Sequence, residues 1–168
     1  MIRRTAKYWI EKLGLKKHTE GGWFKEIYRS EEIATKDSLP NGFSGDRNFS
    51  TSIYFLLEKD DISVLHRIKS DEIWHYYDGG SAIEIISLQG RRLLKQSLGR
   101  DNEKGEHLQI VVPKNTWFAA RLINQESYAL VACTVSPGFH FDDFEMANED
   151  LLKDYPNLES DISYFLKR

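Results

Sequence analysis

A single cysteine, Cys133, excludes an intrachain disulfide, so the fold must be held by its core. It lies in the apolar run Tyr128 to Val135 and reads as a small buried thiol, with no activating base beside it in the sequence. No apolar run approaches the ~20 residues of a membrane span. The first fifteen residues begin basic, but Lys7, Glu11 and Lys12 interrupt any leader-like apolar core, and the expected location is the cytoplasm. Positive charge is not in surplus: 23 Lys and Arg against 26 Asp and Glu leave −3, which argues against nucleic acid as a partner. There is no dinucleotide-binding glycine fingerprint, no P-loop and no internal repeat. A hydrophobic share of 40% and a charged share of 29% fit one globular domain over residues 1–168.

What the chain has is strands. Phe49 to Leu57, Ile62 to Ile68, Glu72 to Tyr77, Ala82 to Leu88, Arg91 to Leu98, His107 to Val112, Trp117 to Ile123 and Tyr128 to Val135 all read as β. Gly, Asp, Asn or Pro separates them at short intervals, the rhythm of a sandwich or barrel. Ahead of them, Thr5 to Leu13 has helical spacing, with Thr5 as cap and Gly14 as stop. Gly21-Gly22 feeds a strand ending at Arg29. Ser30 to Asn48 is polar and turn-rich, and is expected to be a long loop, either a lid on a barrel mouth or an arm to a neighbour. Helices are expected over Ala147 to Tyr155 and Leu158 to Leu166, packed outside a sheet.

Chemistry concentrates between Ser63 and Gly80. His66 shares a strand face with Ile68; Glu72 shares the next with Trp74 and Tyr76. His66 suits a base, a donor or a metal ligand, or else a hydrogen-bonded core histidine. Glu72 suits its acid/base companion, or an ion pair with Arg67, Lys69 or Arg121. His75 falls on the opposite face from Glu72 unless a bulge follows Asp71. These three are the candidate catalytic residues. Tyr54, Trp74, Tyr76 and Trp117 are candidates for an aromatic ligand-binding wall, with core packing as the alternative. Arg121, on the face of Trp117 by period two, is the expected anion anchor, and Arg29 a second one. Arg29 and Arg47 also read as surface charges. His140, Asp142 and Asp143 lack a third dispersed ligand, so Asp143 and Glu145 read as structural or interface residues.

These residues resemble the cupin superfamily. In the motif G-x5-H-x-H-x3-E-x6-G, His66, Glu72 and Gly79 stand in register, with Asp60 for the first Gly and Ile68 for the second His. The second motif, P-x-G-x2-H-x3-N, is similar to the stretch from Pro113, with Asn115, Phe118 and Leu122 in place of Gly, His and Asn. GGWFKEIYRS, STSIYFLL, HRIKSDEIWHYYDGG, VVPKNTWFAAR and TVSPGFHFDDFEMA resemble the blocks of the cupin_5 family, DUF985, over a core of about residues 21–147. The resemblance implies an all-β jelly roll with a short N-terminal helix and C-terminal helices, a homodimer, and a small-molecule ligand. Two of four usual metal positions are apolar, so no metal or other cofactor is expected at a full site. The implied function is a metal-independent isomerase or epimerase on a sugar-derived or other small anionic substrate. A metal-dependent cupin using His66, Glu72 and His75, and a non-catalytic binding or storage module, are the alternatives.

Overall fold

The computed structural model describes residues 4–166. Helix α1 (Ala6–Leu13) starts where Thr5 Oγ1 accepts the Tyr8 N–H at 3.2 Å and stops at Gly14, whose φ is 66°. The strands follow: β1 (Lys16–Lys17), β2 (Trp23–Arg29), β3 (Ile33–Ala34), β4 (Arg47–Asn48), β5 (Thr51–Glu58), β6 (Ile62–Ile68) and β7 (Asp71–Gly79). Then come β8 (Ile83–Gln89), β9 (Arg92–Leu98), β10 (Glu106–His107), β11 (Gln109–Val112), β12 (Phe118–Leu122), β13 (Tyr128–Ser136) and β14 (Phe144–Met146). Two short helices close the described chain, α2 (Asp150–Asp154) and α3 (Glu159–Ile162).

Two six-stranded sheets face each other, ordered β1-β2-β5-β13-β7-β11 and β10-β9-β8-β12-β6-β14, while β3 and β4 pair separately. This is the double-sheet jelly roll. Period two divides each strand. On β13, Ala129, Val131 and Cys133 join the core between the sheets, while Leu130 packs outward under α1. On β12, Phe118, Ala120 and Leu122 point inward. The second sheet is apolar on both faces: Leu65, Ile86, Leu88 and Ala119 lie outside it and are covered by Leu151, Ile162 and Phe165 of the C-terminal segment. That second apolar face is why the tail folds back.

Two expectations change here. The stretch from Ser30 to Asn48 contains the β3–β4 pair and a short 3-10 turn, and its end is tied down. Arg47 is only 4% exposed and pairs with Asp143, which also lies 3.4 Å from Lys69. Arg47 is therefore no surface charge. The tail helices are shorter than the apolar spacing suggests, because Pro156 and adjacent 3-10 turns divide them. Among the described residues no helix is long and apolar enough to cross a membrane.

Candidate functional site

One end of the space between the sheets stays open as a cavity of about 230 Å³. Its floor begins at the Gly21-Gly22 turn that feeds β2. Gly21 has φ 108°, and a Cβ there would run into the Ile62 carbonyl oxygen, so only glycine lets this turn lie on β6. The turn presents Glu20 to the interior. Val64 N–H donates to the Glu20 carbonyl at 2.9 Å, and Ser63 Oγ donates to Glu20 Oε1 at 2.9 Å.

The other Glu20 oxygen, Oε2, lies 3.3 Å from His66 Nε2 and 3.6 Å from His18 Nδ1. His66 Nδ1 sits 2.7 Å from the Val64 carbonyl oxygen. A carbonyl only accepts, so Nδ1 carries a hydrogen; Nε2 then faces a carboxylate and requires a shared proton. Glu20 and His66 thus form a proton-holding pair, with the ring packed 4.2 Å from Phe118 and 5.3 Å from Phe144, centre to centre. His18 is different. Burial lowers its pKa against the pull of Glu20, with His66 adding to the lowering, so its ring stays neutral. Its Nδ1 accepts the Glu20 N–H at 3.3 Å, leaving the hydrogen on Nε2.

Glu72 enters the same cavity from β7. Burial, and next the charge of Glu20, push its carboxyl from near 4.5 up to about 8, so at neutral pH it carries its proton. The Cys133 thiol stands beside it, and the buried Trp74 indole N–H points its way without reaching hydrogen-bond geometry. Burial and Glu72 push the Cys133 thiol well up, which keeps it an unreactive S–H. At the mouth, Arg29 donates to both Glu26 carboxylate oxygens (3.0 and 2.7 Å), to Asn48 Oδ1 (2.9 Å) and to the Phe139 carbonyl (3.2 Å). Phe139, Phe141 and Phe144 pack edge to face above it and line the cavity with Phe24, Ile53, Ile68 and Val135.

Of the residues singled out in the sequence, His66, Glu72 and Arg29 line this cavity. The others do not. His75 faces outward, 3.0 Å from Gln109 and 3.3 Å from Thr134, because β7 runs in unbroken register with β13 from Asp71 to Tyr76. The bulge comes only after Tyr76. Trp74 points inward but fills the closed end, 5.6 Å from Phe55 and 6.2 Å from Phe118, ring to ring. Tyr76 packs there too, its hydroxyl donating to the Ser81 carbonyl at 3.0 Å. Tyr54 lies outside with α1. Trp117 is also outside, under the tail and the Arg67 guanidinium. Arg121 pairs with Glu84 at 2.8 Å and covers Phe165, so it anchors nothing in the cavity. Among the described residues Glu72 has no basic partner: Arg67 holds Glu145, Lys69 reaches Asp143 and Arg121 holds Glu84. Nothing from Ser30 to Asn48 lines the cavity, so that stretch is no lid over it.

Glu20 and His18 were missed. The signal available was a His-x-Glu immediately before two glycines, a turn that brings both side chains to one spot. The metal of the cupin fold does not fit this floor. Ile68 and Phe118 occupy two of its ligand positions, and both His66 nitrogens are engaged. Among the described residues, no three His, Cys, Asp or Glu side chains come together to hold an ion.

Two facing sheets around a cavity reached by the first-motif hairpin define a cupin. The chain belongs to the Cupin_5 family of the cupin superfamily (DUF985), whose model matches residues 7–147. It is 34% identical over 147 residues to the uncharacterized Saccharomyces cerevisiae protein YML079W, covering 82% of this chain and 73% of that protein. A hypothetical protein from Leishmania major superposes with a TM-score of 0.88 at 31% identity, over 98% of this chain and 100% of the other. Protein SO0799 from Shewanella oneidensis gives 0.85 at 35% identity, over 98% and 99%.

Proposed function

We propose that this cupin binds a small organic molecule and moves a proton on it without a metal. The observation that carries the reading is the pairing, in one desolvated cavity, of a protonated carboxyl, Glu72, with a carboxylate held by Ser63 and His66, Glu20. Two carboxyl groups with unequal protonation are how one site supplies both an acid and a base. On a ligand with a carbonyl, Glu72 O–H hydrogen-bonds to the carbonyl oxygen. Glu20 takes the proton from the adjacent carbon while Glu72 gives its own to the carbonyl oxygen, so the C–H electron pair becomes the double bond of a neutral enol. In D2O, returning a proton exchanged with solvent to the same carbon leaves deuterium there; on a hydroxyketone, returning it to the former carbonyl carbon while the neighbouring hydroxyl oxygen gives up its proton yields the isomer. His66 stabilises the charge on Glu20 while the proton is away. The expected anionic character of the substrate rests on Arg121, and Arg121 lies outside.

Deuterium uptake from D2O into a panel of ketones and hydroxyketones, followed by proton NMR, tests this. The expected result is uptake by the wild type and a loss of about a hundredfold or more in Glu72→Gln and Glu20→Gln. Equal uptake by variants with unchanged circular dichroism removes the reading. Binding without uptake leaves a non-catalytic binding module.

A further inference from the structure

Size, wall chemistry and charge together narrow the ligand. An apolar cavity of about 150 Å³ holds benzene; this one, at about 230 Å³, has room for one six-membered ring and a short substituent. Its apolar walls are Phe24, Phe139, Phe141, Phe144, Ile53 and Ile68, and beside the floor groups its polar lining is Thr51, Glu26, Arg29 and His140. Any ligand hydroxyl pressed against the phenylalanines finds no partner there, at a cost of about 1–3 kcal/mol. No free positive charge favours the other expectation, an anion. Arg29 is engaged by Glu26, Asn48 and the Phe139 carbonyl. A ligand carboxylate on the floor finds no free cation, because His66 is already engaged by Glu20. What the floor does offer is donors: the Glu72 O–H and the Nε2–H of neutral His18, which finds no protein partner among the described residues.

We infer that the ligand is a neutral, flat, unsaturated or aromatic ring bearing one carbonyl group, which is received by Glu72 and His18 while the ring lies among the phenylalanines. The choice of a carbonyl rests on the proton-transfer reading; the apolar ring stands on the walls, and its neutrality on the lack of a free cation beside them.

The probes are acetophenone, benzoate and fructose, each titrated into the full chain by ligand-observed NMR, with deuterium uptake into acetophenone and fructose recorded in the same tubes. Acetophenone is expected to bind at least about tenfold more tightly than benzoate or fructose, and Phe141→Ala to weaken it several-fold. Phe141 is 61% exposed, so this variant keeps its fold; Phe139→Ala serves as the more buried companion. Tighter binding of benzoate or fructose, or no binding of acetophenone, overturns the inference. Deuterium uptake into fructose in that case still upholds the proton-transfer reading. Acetophenone bound but unexchanged upholds the ring and removes proton transfer.

Discussion

Along β5 the inward side chains run Thr51, Ile53, Phe55, Leu57, and the strand beside it, β13, pairs Val135 with Thr51 and Val131 with Phe55. On β7 the order is Glu72, Trp74, Tyr76, with Glu72 opposite Val135 and Trp74 opposite Cys133. Three neighbouring strands thus share a gradient. At one end sit Thr51, Val135 and Glu72, too small to fill the interior; one step in, Trp74 stands level with Ile53 and Cys133, and beyond it Phe55 and Tyr76 flank Val131 and close the far end. The same alternation makes both ends inward-facing. Residue volume along each strand decides which end becomes packing and which becomes a site.

The contrast is broken most severely at the closed end. Phe55→Ala should lower unfolding free energy by about 3–5 kcal/mol in urea titrations, because it opens a void in a filled region. Ile53→Ala should lose less than half of that, since its side chain already borders a cavity. Next comes the clasp beside the open end. Asp143→Ala leaves Arg47 charged and buried, at a cost of about 3 kcal/mol. Replacing both with apolar residues should recover most of it.

The pH dependence of stability separates the ends further. Glu72 is protonated when folded up to about 8, but ionises near 4.5 when unfolded. The folded state therefore binds more protons over that window, and stability is greatest below it and falls as pH rises. Between about pH 5 and 7 the loss should be about 2 kcal/mol. Glu72→Gln should flatten the slope in denaturation curves taken across this range, and a slope that survives the substitution assigns it to other groups. The smallest effect belongs to the outer surface. Arg121→Ala should cost less than about 1 kcal/mol, its pair with Glu84 being partly exposed, and should leave probe binding unchanged.

Much of this was legible in the chain. The strands from β5 to β13 fall within a residue or two of their expected ends, since alternation and turn residues mark them locally, except that the one strand expected over His107 to Val112 divides into β10 and β11 on different sheets. His66 and Glu72 followed from motif register. Arg121 and Trp117 did not have to be misplaced: Phe118 stands where a cupin ligand faces inward, so parity alone sends Trp117, Ala119 and Arg121 outward. His75 obeyed plain alternation. Glu20 is the residue local patterns could not supply. It reaches His66 across 46 positions from a turn, and only the crossing of that turn over β6 makes it a neighbour.

That crossing gives the site a timetable of its own. The acid on the floor is brought by a short surface turn held to β6 through the Val64 amide and the Ser63 hydroxyl. Such a turn can lift without unzipping either sheet, in an excursion far cheaper than global unfolding. Each excursion takes Glu20 away from His66 and admits water to the floor while the barrel stays intact. The exchange rate of the Val64 amide is then a direct gauge of how often the site is disassembled, and a ligand resting on Glu72 and His18 should slow it in proportion to occupancy.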